Sequence, residues 1–200
     1  MFVQVVEGSI SDAEAFGRQL DVWSSDLKAG ASGYLGSTGG VADDGRAILI
    51  ARFESPEMAR ANSDRPEQGR WWATTELLFD GPATFAESTD VDMYMAGGSD
   101  EAGFVQIMKG STGDRERLVA LDEKFAPHVE ELWPALIGGA RIWTGSQSYI
   151  EVAYFTSEAA AREAEQKEPP DHLTDLFTEH ELLMANVEFM DLRAPLFSSP

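Results

Sequence analysis

The chain has 200 residues, of which 43% are hydrophobic and 25% are charged. This length is enough for one sizeable domain or two small ones, with a core that needs no cross-links. Thirty-five acidic residues against 15 basic ones give a formal net charge of −20. That balance argues against nucleic acid and anionic membranes as partners, because both are bound through basic patches. The chain has no cysteine, which excludes disulfides, thiolate metal sites and a cysteine nucleophile.

The beginning of the chain has neither a basic segment nor a cleavable apolar segment, so it does not read as a signal peptide. Nor does any apolar run approach the length of a transmembrane helix. The sequence therefore predicts an acidic cytoplasmic protein.

A short β-rich segment occurs twice. Phe2–Gln4 opens the chain and returns as Phe104–Gln106, 102 residues later, and both copies run on into a Gly-Ser pair. Residues 2–61 align with residues 104–163 without a gap. A period of half the chain indicates two copies of one supersecondary unit.

The first copy begins with a strand, and Ser9 or Ser11, followed by Asp12 and Glu14, is typical of a helix start. Apolar periodicity and turn residues predict the order strand, helix, strand, strand, helix and closing strand. The predicted elements are the strand Phe2–Val6, a helix with the stripe Phe16, Leu20, Trp23 and Leu27, the strands Ala31–Val41 and Ala47–Phe53, a helix from Ser55, a short helix near Trp71–Phe79, and a strand within Ala83–Met95.

The same order is predicted for the second copy, with Pro127 expected to kink its first helix or end it early. Its elements are the strand Phe104–Met108, a helix with Leu118, Leu121, Phe125 and Leu132, the strands Pro134–Thr144 and Tyr149–Phe155, a helix from Ser157, a longer helix from His172 to Met184, and the strand Ala185–Leu192. Residues 96–103 have the composition of a linker, and residues 194–200 are predicted to be a loose tail.

Each copy is therefore a ferredoxin-like β-α-β-β-α-β unit, and the fold class is α+β. The predicted domains are a first repeat at residues 1–95 and a second at 104–193. One such sheet carries helices on one face, so its other face must be covered. We expect the two antiparallel sheets to pack face to face as a dimeric α/β barrel with pseudo-two-fold symmetry. This internal pair leaves further association into a homodimer open.

This arrangement resembles the dimeric α/β-barrel superfamily, and within it a tandem fusion of two antibiotic biosynthesis monooxygenase-like domains. The resemblance rests on the strand that ends in Gly-Ser, the long helix, the hairpin and the Ser-Pro-Glu or Ser-Glu helix start. It implies a fold used by cofactor-independent monooxygenases that act on polyaromatic or quinol-type substrates. Such enzymes need neither metal nor flavin, so no cofactor is expected.

In the family, Trp, Tyr and Asn side chains line a pocket between sheet and helices. The matching residue types here are Asn62, Trp71, Trp72 and Tyr94, which we assign to the first repeat. An indole can stack on a flat substrate and donate one hydrogen bond, and an amide can hold a phenolate oxygen. The alternative is that the tryptophans close the core. Trp72, Asn62 and His172 are the candidate catalytic residues, and a single pocket is expected because the second repeat lacks tryptophan in this region.

Three histidines offer further chemistry. His172 and His180 are eight residues apart, too far for the i, i+4 chelate of a helical metal site, and His128 lies on another helix. No metal site is therefore predicted. Either His172 or His180 could be a general base or an axial haem ligand. Haem-degrading relatives carry an asparagine on the first strand, which neither copy has.

Two glutamines and a glutamate interrupt apolar strands. Gln4 and Gln106 occupy equivalent positions and are expected either to bond to each other or to neighbouring backbone, or to line a ligand cavity. Glu151 lies between two apolar residues and is expected at a solvent-facing sheet edge. If it is buried, it is a candidate base.

The sequence thus favours a small-molecule-binding protein that resembles cofactor-independent monooxygenases. A non-catalytic member of the same fold, which binds a metabolite or a protein, is the main alternative. Haem binding or degradation is a further one.

Overall fold

The computed structural model describes residues 1–95 and 97–200, which form two compact units. Unit 1 comprises Met1–Val91 together with Ala194–Pro200, and unit 2 comprises Asp92–Arg193. Each unit is α+β, with helices beside a five-stranded antiparallel sheet. No helix in the described residues is both long and apolar enough to cross a membrane.

Unit 1 follows the predicted order of elements. These are β1 (Phe2–Ser9), α1 (Ala13–Val22), β2 (Tyr34–Val41), β3 (Arg46–Phe53), α2 (Pro56–Ser63), α3 (Pro66–Thr75) and β4 (Thr84–Ser88). A π-helical turn, Trp23–Leu27, and a 3₁₀ turn, Lys28–Gly30, extend α1 towards β2.

Unit 2 repeats that order. Its elements are β5 (Val91–Met95), β6 (Phe104–Ser111), α4 (Arg115–Phe125), α5 (Val129–Leu132), β7 (Leu136–Trp143), β8 (Ser148–Phe155), α6 (Glu158–Glu165), α7 (Thr174–Leu183) and β9 (Ala185–Leu192). The last element of the chain, β10 (Leu196–Ser198), belongs to the sheet of unit 1.

The predicted repeat is confirmed in the strand register. β1, β2, β3 and α2 begin and end 102 residues before β6, β7, β8 and α6. Gln4 pairs with Ala51, and Gln106 pairs with Ala153. Even the irregularity between Tyr34 and Gly36 recurs between Leu136 and Gly138. Residues 102 apart in the chain therefore occupy equivalent places in the folds of the two units.

The edges of the two sheets differ from the prediction. The sheet orders are β10-β2-β3-β1-β4 and β5-β7-β8-β6-β9. The predicted closing strand of the first repeat is divided into β4 and β5, and β5 joins the sheet of unit 2. The predicted loose tail instead contains β10, which pairs with β2. In each case an added strand satisfies backbone groups that an edge strand would leave unpaired.

The boundaries between units shift accordingly. The predicted first domain, residues 1–95, ends at Val91 in the structure, so Tyr94 lies in unit 2. Ala96, the first residue of the predicted linker, lies outside the described residues. Residues 97–103 contain neither helix nor strand.

Helix ends follow the predicted chemistry with one correction. The N-cap of α1 is Asp12, whose carboxylate accepts a hydrogen bond of 2.8 Å from the backbone N–H of Ala15. Ser9, one of the two serines proposed for this position, is the last residue of β1. Pro127 does end the helix before it, because α4 stops at Phe125 and a 3₁₀ turn follows.

Ser157 provides a direct test of a repeated cap. Its hydroxyl accepts from the backbone N–H of Ala160 at 3.3 Å, as Ser55 does from Met58 in the first repeat. We expect Ser157→Ala to lower the free energy of unfolding by about 1 kcal/mol, since one N–H of the first turn loses its acceptor. Urea unfolding followed by circular dichroism measures this. Ser157→Asp, which keeps an acceptor, should retain most of the stability, and equal losses in both variants would contradict the capping role.

Candidate functional site

Each unit contains a cavity between its sheet and its helices. Cavity 1, in unit 1, has a volume of about 330 Å³, and cavity 2, in unit 2, has a volume of about 470 Å³. Both lie within the range of about 300–1,000 Å³ that is typical of small-molecule sites. The expectation of one pocket in the first repeat therefore needs correction, because the second repeat forms a pocket without the equivalent tryptophans.

Cavity 1 lies on the helix-facing side of the sheet, and aromatic side chains form part of its wall. β1 and β3 supply Gln4, Val6, Leu49, Ala51 and Phe53. The helical segments supply Leu20, Asp21, Trp23, Ser24, Asn62, Ser63, Gln68, Gly69, Trp71 and Trp72. Tyr34, Ser37, Phe85 and Leu196–Ser198 complete the lining.

Two of its three tryptophans are held by bonds within the protein. The indole N–H of Trp71 donates to the backbone carbonyl of Gln19 at 2.8 Å, and that of Trp23 donates to the side chain of Gln68 at 2.7 Å. Both rings are buried, and the Trp23 ring lies 4.7 Å from that of Tyr34. These two indoles shape the wall of cavity 1, and their donors are already used.

Trp72 and Asn62 differ in this respect. The Trp72 ring packs edge-on against Phe85, with centroids 5.2 Å apart, and no described residue accepts a hydrogen bond from its N–H. The Asn62 carbonyl oxygen accepts from Arg65 at 2.8 Å, while its amide nitrogen has no acceptor among the described residues. Both side chains line cavity 1. They therefore leave two N–H donors in the lining of cavity 1 without an acceptor among the described residues.

Gln4 and Gln106 line their respective cavities, and each donates to carboxylates of its own unit. The Gln4 amide donates to Glu87 at 3.0 Å, across the β1–β4 pair. The Gln106 amide donates to Glu165 at 3.0 Å and to Asp191 at 3.4 Å, the latter across β6–β9. These carboxylate partners differ from the expected partners, a second glutamine or the backbone.

Cavity 2 occupies the equivalent place in unit 2. Gln106, Met108, Ala153 and Phe155 line it where Gln4, Val6, Ala51 and Phe53 line cavity 1. Aromatic and apolar residues of the helices and loops add Val119, Phe125, Ala126, Val129, Trp133 and Met184. Its polar lining consists of Asp92, Tyr94, Gln106, Asp122, Glu123, Arg141, Glu151, Glu165 and His180.

An ion cluster sits in the wall of cavity 2. The side chain of Arg141 is 5% exposed, and its Nε and Nη2 donate to Glu151 at 3.1 and 2.7 Å. Its Nη1 also donates to Asp122, and its Nη2 reaches the second oxygen of Asp122 at 3.4 Å. Glu151 is therefore largely buried, contrary to the expected solvent-facing position.

The charges in this cluster do not balance. Burial would lower the pKa of Arg141, but the carboxylates of Glu151 and Asp122 outweigh it and raise that pKa. The pKa of Asp122 is raised in spite of its arginine partner, chiefly by burial and then by the nearby carboxylates of Glu151 and Asp92. One guanidinium thus faces two carboxylates.

Tyr94 belongs to this cluster rather than to the pocket of the first repeat. Its hydroxyl donates to Glu151 and lies equally close, at 3.3 Å, to the carbonyl of Val152. Burial, followed by the charge of Glu151, raises the pKa of Tyr94 well above that of a free phenol, so it stays protonated. Gly139 makes room for it, because a Cβ there would lie 2.0 Å from the tyrosine ring.

The histidines separate into two environments. His180 lines cavity 2 next to the Phe125 ring, and burial lowers its pKa, so it is neutral at pH 7. His172 lines neither cavity. Its ring lies 5.6 Å from that of His128, and both approach the carboxylate of Glu131, at 3.9 and 3.8 Å. The donor atoms of these three residues lie within 4.8 Å of one another, close enough for a divalent ion, at a partly exposed position.

Trp72, Asn62, Gln4, Glu151 and His180 were candidates from the sequence alone, whereas Arg141 and Asp122 were not. The repeat register contains a signal for both missed residues. Leu20 and Gly39 of the first repeat stand where Asp122 and Arg141 stand in the second, at the same offset of 102. A charged residue at a position that the other repeat fills with leucine or glycine marks a changed environment.

Comparison with known proteins identifies the fold. No family model and no curated protein matches the sequence. Among solved structures, a candidate monooxygenase from Lactobacillus acidophilus has a TM-score of 0.76 at 11% identity, with 99% of this chain and 95% of that chain covered. A candidate monooxygenase from Fusobacterium nucleatum has a TM-score of 0.71 at 9% identity, covering 99% and 94%. An anthrone oxidase-like protein has a TM-score of 0.65 at 10% identity, covering 100% and 94%.

These similarities extend over nearly the whole chain, so they confirm the predicted resemblance at the level of the fold. The chain has the ferredoxin-like architecture of these solved structures, in two tandem copies. Identities near 10% show a shared fold and nothing about chemistry. The chemistry of this chain depends on the residues that line its two cavities.

Proposed function

We propose that cavity 1 binds a flat, hydroxylated aromatic molecule and supports its cofactor-independent oxidation by molecular oxygen. The observation that carries this proposal is the pair of N–H donors on Trp72 and Asn62, which have no acceptor among the described residues, in a cavity that aromatic rings such as Trp23, Tyr34 and Phe53 help to line. Aromatic walls stack on a planar substrate, while the two donors hold one of its oxygens.

The chemistry follows from placing those donors at a developing negative charge. When an anthrone-type substrate loses a proton from carbon, its oxygen becomes an enolate, which N–H donors stabilise. Asp21 lines the same cavity and is the carboxylate available to take that proton. The carbanion then passes electrons to oxygen. Overall, the CH₂ group and O₂ give a ketone and water, so the substrate itself supplies the electrons.

Charge favours cavity 1 over cavity 2 for this reaction. Asp21 is the one ionisable carboxylate among the described residues that line cavity 1, whereas cavity 2 holds Asp122 and Glu151 around a single arginine. A phenolate or enolate would be repelled by the excess negative charge of cavity 2. An anionic intermediate is better accommodated beside neutral donors.

Oxygen uptake with an anthrone or a quinol tests the proposal. One solved structure of this fold is described as anthrone oxidase-like, which makes an anthrone the first substrate to try. We expect Trp72→Phe, which keeps an aromatic ring and removes the N–H, to lower kcat/KM about 100-fold. Trp72→Ala should lower it at least as much. Asn62→Asp keeps the acceptor for Arg65 and removes the amide donor, so it should also impair turnover.

Leu77→Ala is the matched control, because Leu77 is exposed and lies outside the lining of cavity 1. It should leave oxygen uptake unchanged. Full activity in Trp72→Phe would refute the assigned role of the indole N–H. Binding of the substrate without oxygen uptake would favour the non-catalytic alternative, and a Soret shift on haem titration would favour haem binding.

A further inference from the structure

Cavity 2 differs from cavity 1 in charge, although the two arose at the same place in the repeat. Where the first repeat has Leu20, Gly39 and Leu49, the second has Asp122, Arg141 and Glu151. The strand register places Arg141 directly opposite Glu151, as it places Gly39 opposite Leu49. Buried ion pairs stabilise a fold little compared with apolar packing of the same volume. The change from leucines to charges therefore indicates a role in recognition.

The arginine in this cluster is committed to its carboxylates. Four contacts from its nitrogens go to Glu151 and Asp122, so it has little capacity left for an anionic ligand. The two carboxylates together carry one more charge than it neutralises. The surplus negative charge faces a cavity of about 470 Å³.

The other ionisable side chains that line cavity 2 do not neutralise this surplus negative charge. Glu165 is paired with Arg162 at 2.9 Å, and Asp92 accepts from the indole N–H of Trp143 at 2.6 Å. Glu123 is exposed. His180 is neutral, since burial lowers its pKa. Arg141 is the only arginine or lysine among the described residues that line cavity 2.

The apolar part of the lining of cavity 2 suits a ligand that has an apolar body next to a positive charge. Phe125, Trp133 and Phe155 line the cavity, and the Phe125 and Trp133 rings lie 6.0 Å apart. Aromatic faces attract organic cations, most strongly where water is excluded. Met108 and Met184 add adaptable apolar surface. A small inorganic cation would gain little from such walls.

We propose that cavity 2 binds a hydrophobic organic cation, such as a protonated arylalkylamine, whose ammonium group faces Glu151 and Asp122 and whose apolar body lies against Phe125 and Trp133. This site is independent of the oxidation proposed for cavity 1. On the two proposals together, cavities at equivalent places in the repeat differ in preference, cavity 1 for a neutral or anionic aromatic and cavity 2 for a cation.

A matched pair of fluorescent probes tests the proposal. 1-Naphthylmethylamine is charged at pH 7, whereas 1-naphthalenemethanol has nearly the same shape and is neutral. We expect the intact protein to bind the amine at least tenfold more tightly than the alcohol. Glu151→Gln and Asp122→Asn each leave Arg141 one carboxylate partner and remove the surplus charge. Each should abolish most of the preference for the amine while leaving the affinity for the alcohol within about twofold.

Glu168→Gln controls for attraction to the acidic surface, because Glu168 is exposed and does not line cavity 2. It should keep the full preference. Titrations at 0.5 M salt screen surface attraction and should preserve it as well. Equal affinities for the two probes, or an unchanged preference in a Glu151→Gln protein that melts like the parent, would overturn the proposal. Should Glu151→Gln fail to fold, Asp122→Asn, whose side chain is 39% exposed, gives the same reading.

Discussion

Replacing Arg141 by methionine is expected to destabilise the protein by about 3 kcal/mol, one of the two largest losses predicted for a single substitution here. Removing one partner of a buried ion pair typically costs about 3–5 kcal/mol, because the remaining charge stays buried without an opposite charge beside it. Arg141 is 5% exposed, whereas Asp122 is 39% exposed and keeps some solvent, which places the expected loss at the lower end. Methionine retains the apolar length of the side chain, so the charge is the main change.

The loss should depend on pH with a defined sign. Burial, followed by the nearby carboxylates, already raises the pKa of Asp122 in the folded state, and losing Arg141 removes the charge that opposes this rise. A carboxyl with a raised folded pKa costs no stability below its unfolded pKa, and the cost grows as the pH rises through the folded pKa. The difference between Arg141→Met and the parent should therefore shrink as the pH falls from 7 towards 4.

Urea unfolding at several pH values, followed by circular dichroism, measures both effects. Arg46→Met is the matched control, since Arg46 pairs with Asp44 at 2.7 Å but is 39% exposed. Exposed pairs contribute about 0–1 kcal/mol, so this variant should stay close to the parent. A loss in Arg141→Met no greater than in Arg46→Met would show that the cluster is not effectively buried.

Phe104→Ala is the second large effect, with an expected loss of about 3–5 kcal/mol. Phe104 opens the repeated segment and is fully buried in unit 2. Its ring lies 6.1 Å from that of Phe155, and the Arg162 guanidinium sits 5.2 Å from its centroid. Alanine would leave a cavity next to Phe155 and Arg162. The folded state would lose both the free energy of burying the ring and the packing contacts that the cavity removes.

Thermal or urea unfolding of Phe104→Ala beside Phe189→Ala separates burial from residue type. Phe189 lies on β9 of the same sheet and is 53% exposed, so its loss should be within about 1 kcal/mol. Phe104→Leu, which retains most of the volume, should fall between them. Similar stabilities of Phe104→Ala and Phe189→Ala would be incompatible with the position of Phe104 in the core.

The two repeats share a scaffold but differ in the residues that line their cavities. Gln4 and Gln106 hold the same place in their sheets, and both donate to carboxylates on the neighbouring strand. The scaffold of the cavity has thus been kept in both copies while its chemistry has diverged. Trp72 and Asn62 give cavity 1 its donors, whereas Asp122 and Glu151 give cavity 2 its charge. A tandem chain can change one copy of a site without losing the other.

By itself, the sequence determined the repeat, the element order and most helix and strand positions. Strand alternation, the spacing of Phe16, Leu20 and Trp23, and serine caps such as Ser157 are local signals. They act within a few residues and are readable without long-range contacts. Trp72 and Asn62 became candidate site residues through the resemblance to the family, because their residue types match those of its pocket.

The tertiary structure decided what depends on residues far apart in the chain. β5 and β10 join sheets that local patterns do not specify, because any exposed strand edge offers the same backbone groups. The ion cluster needs Asp122 from α4, Arg141 from β7 and Glu151 from β8 to meet, and their burial determines their chemistry. Sequence periodicity shows which face of an element is apolar, while the depth of a charged side chain follows only from packing.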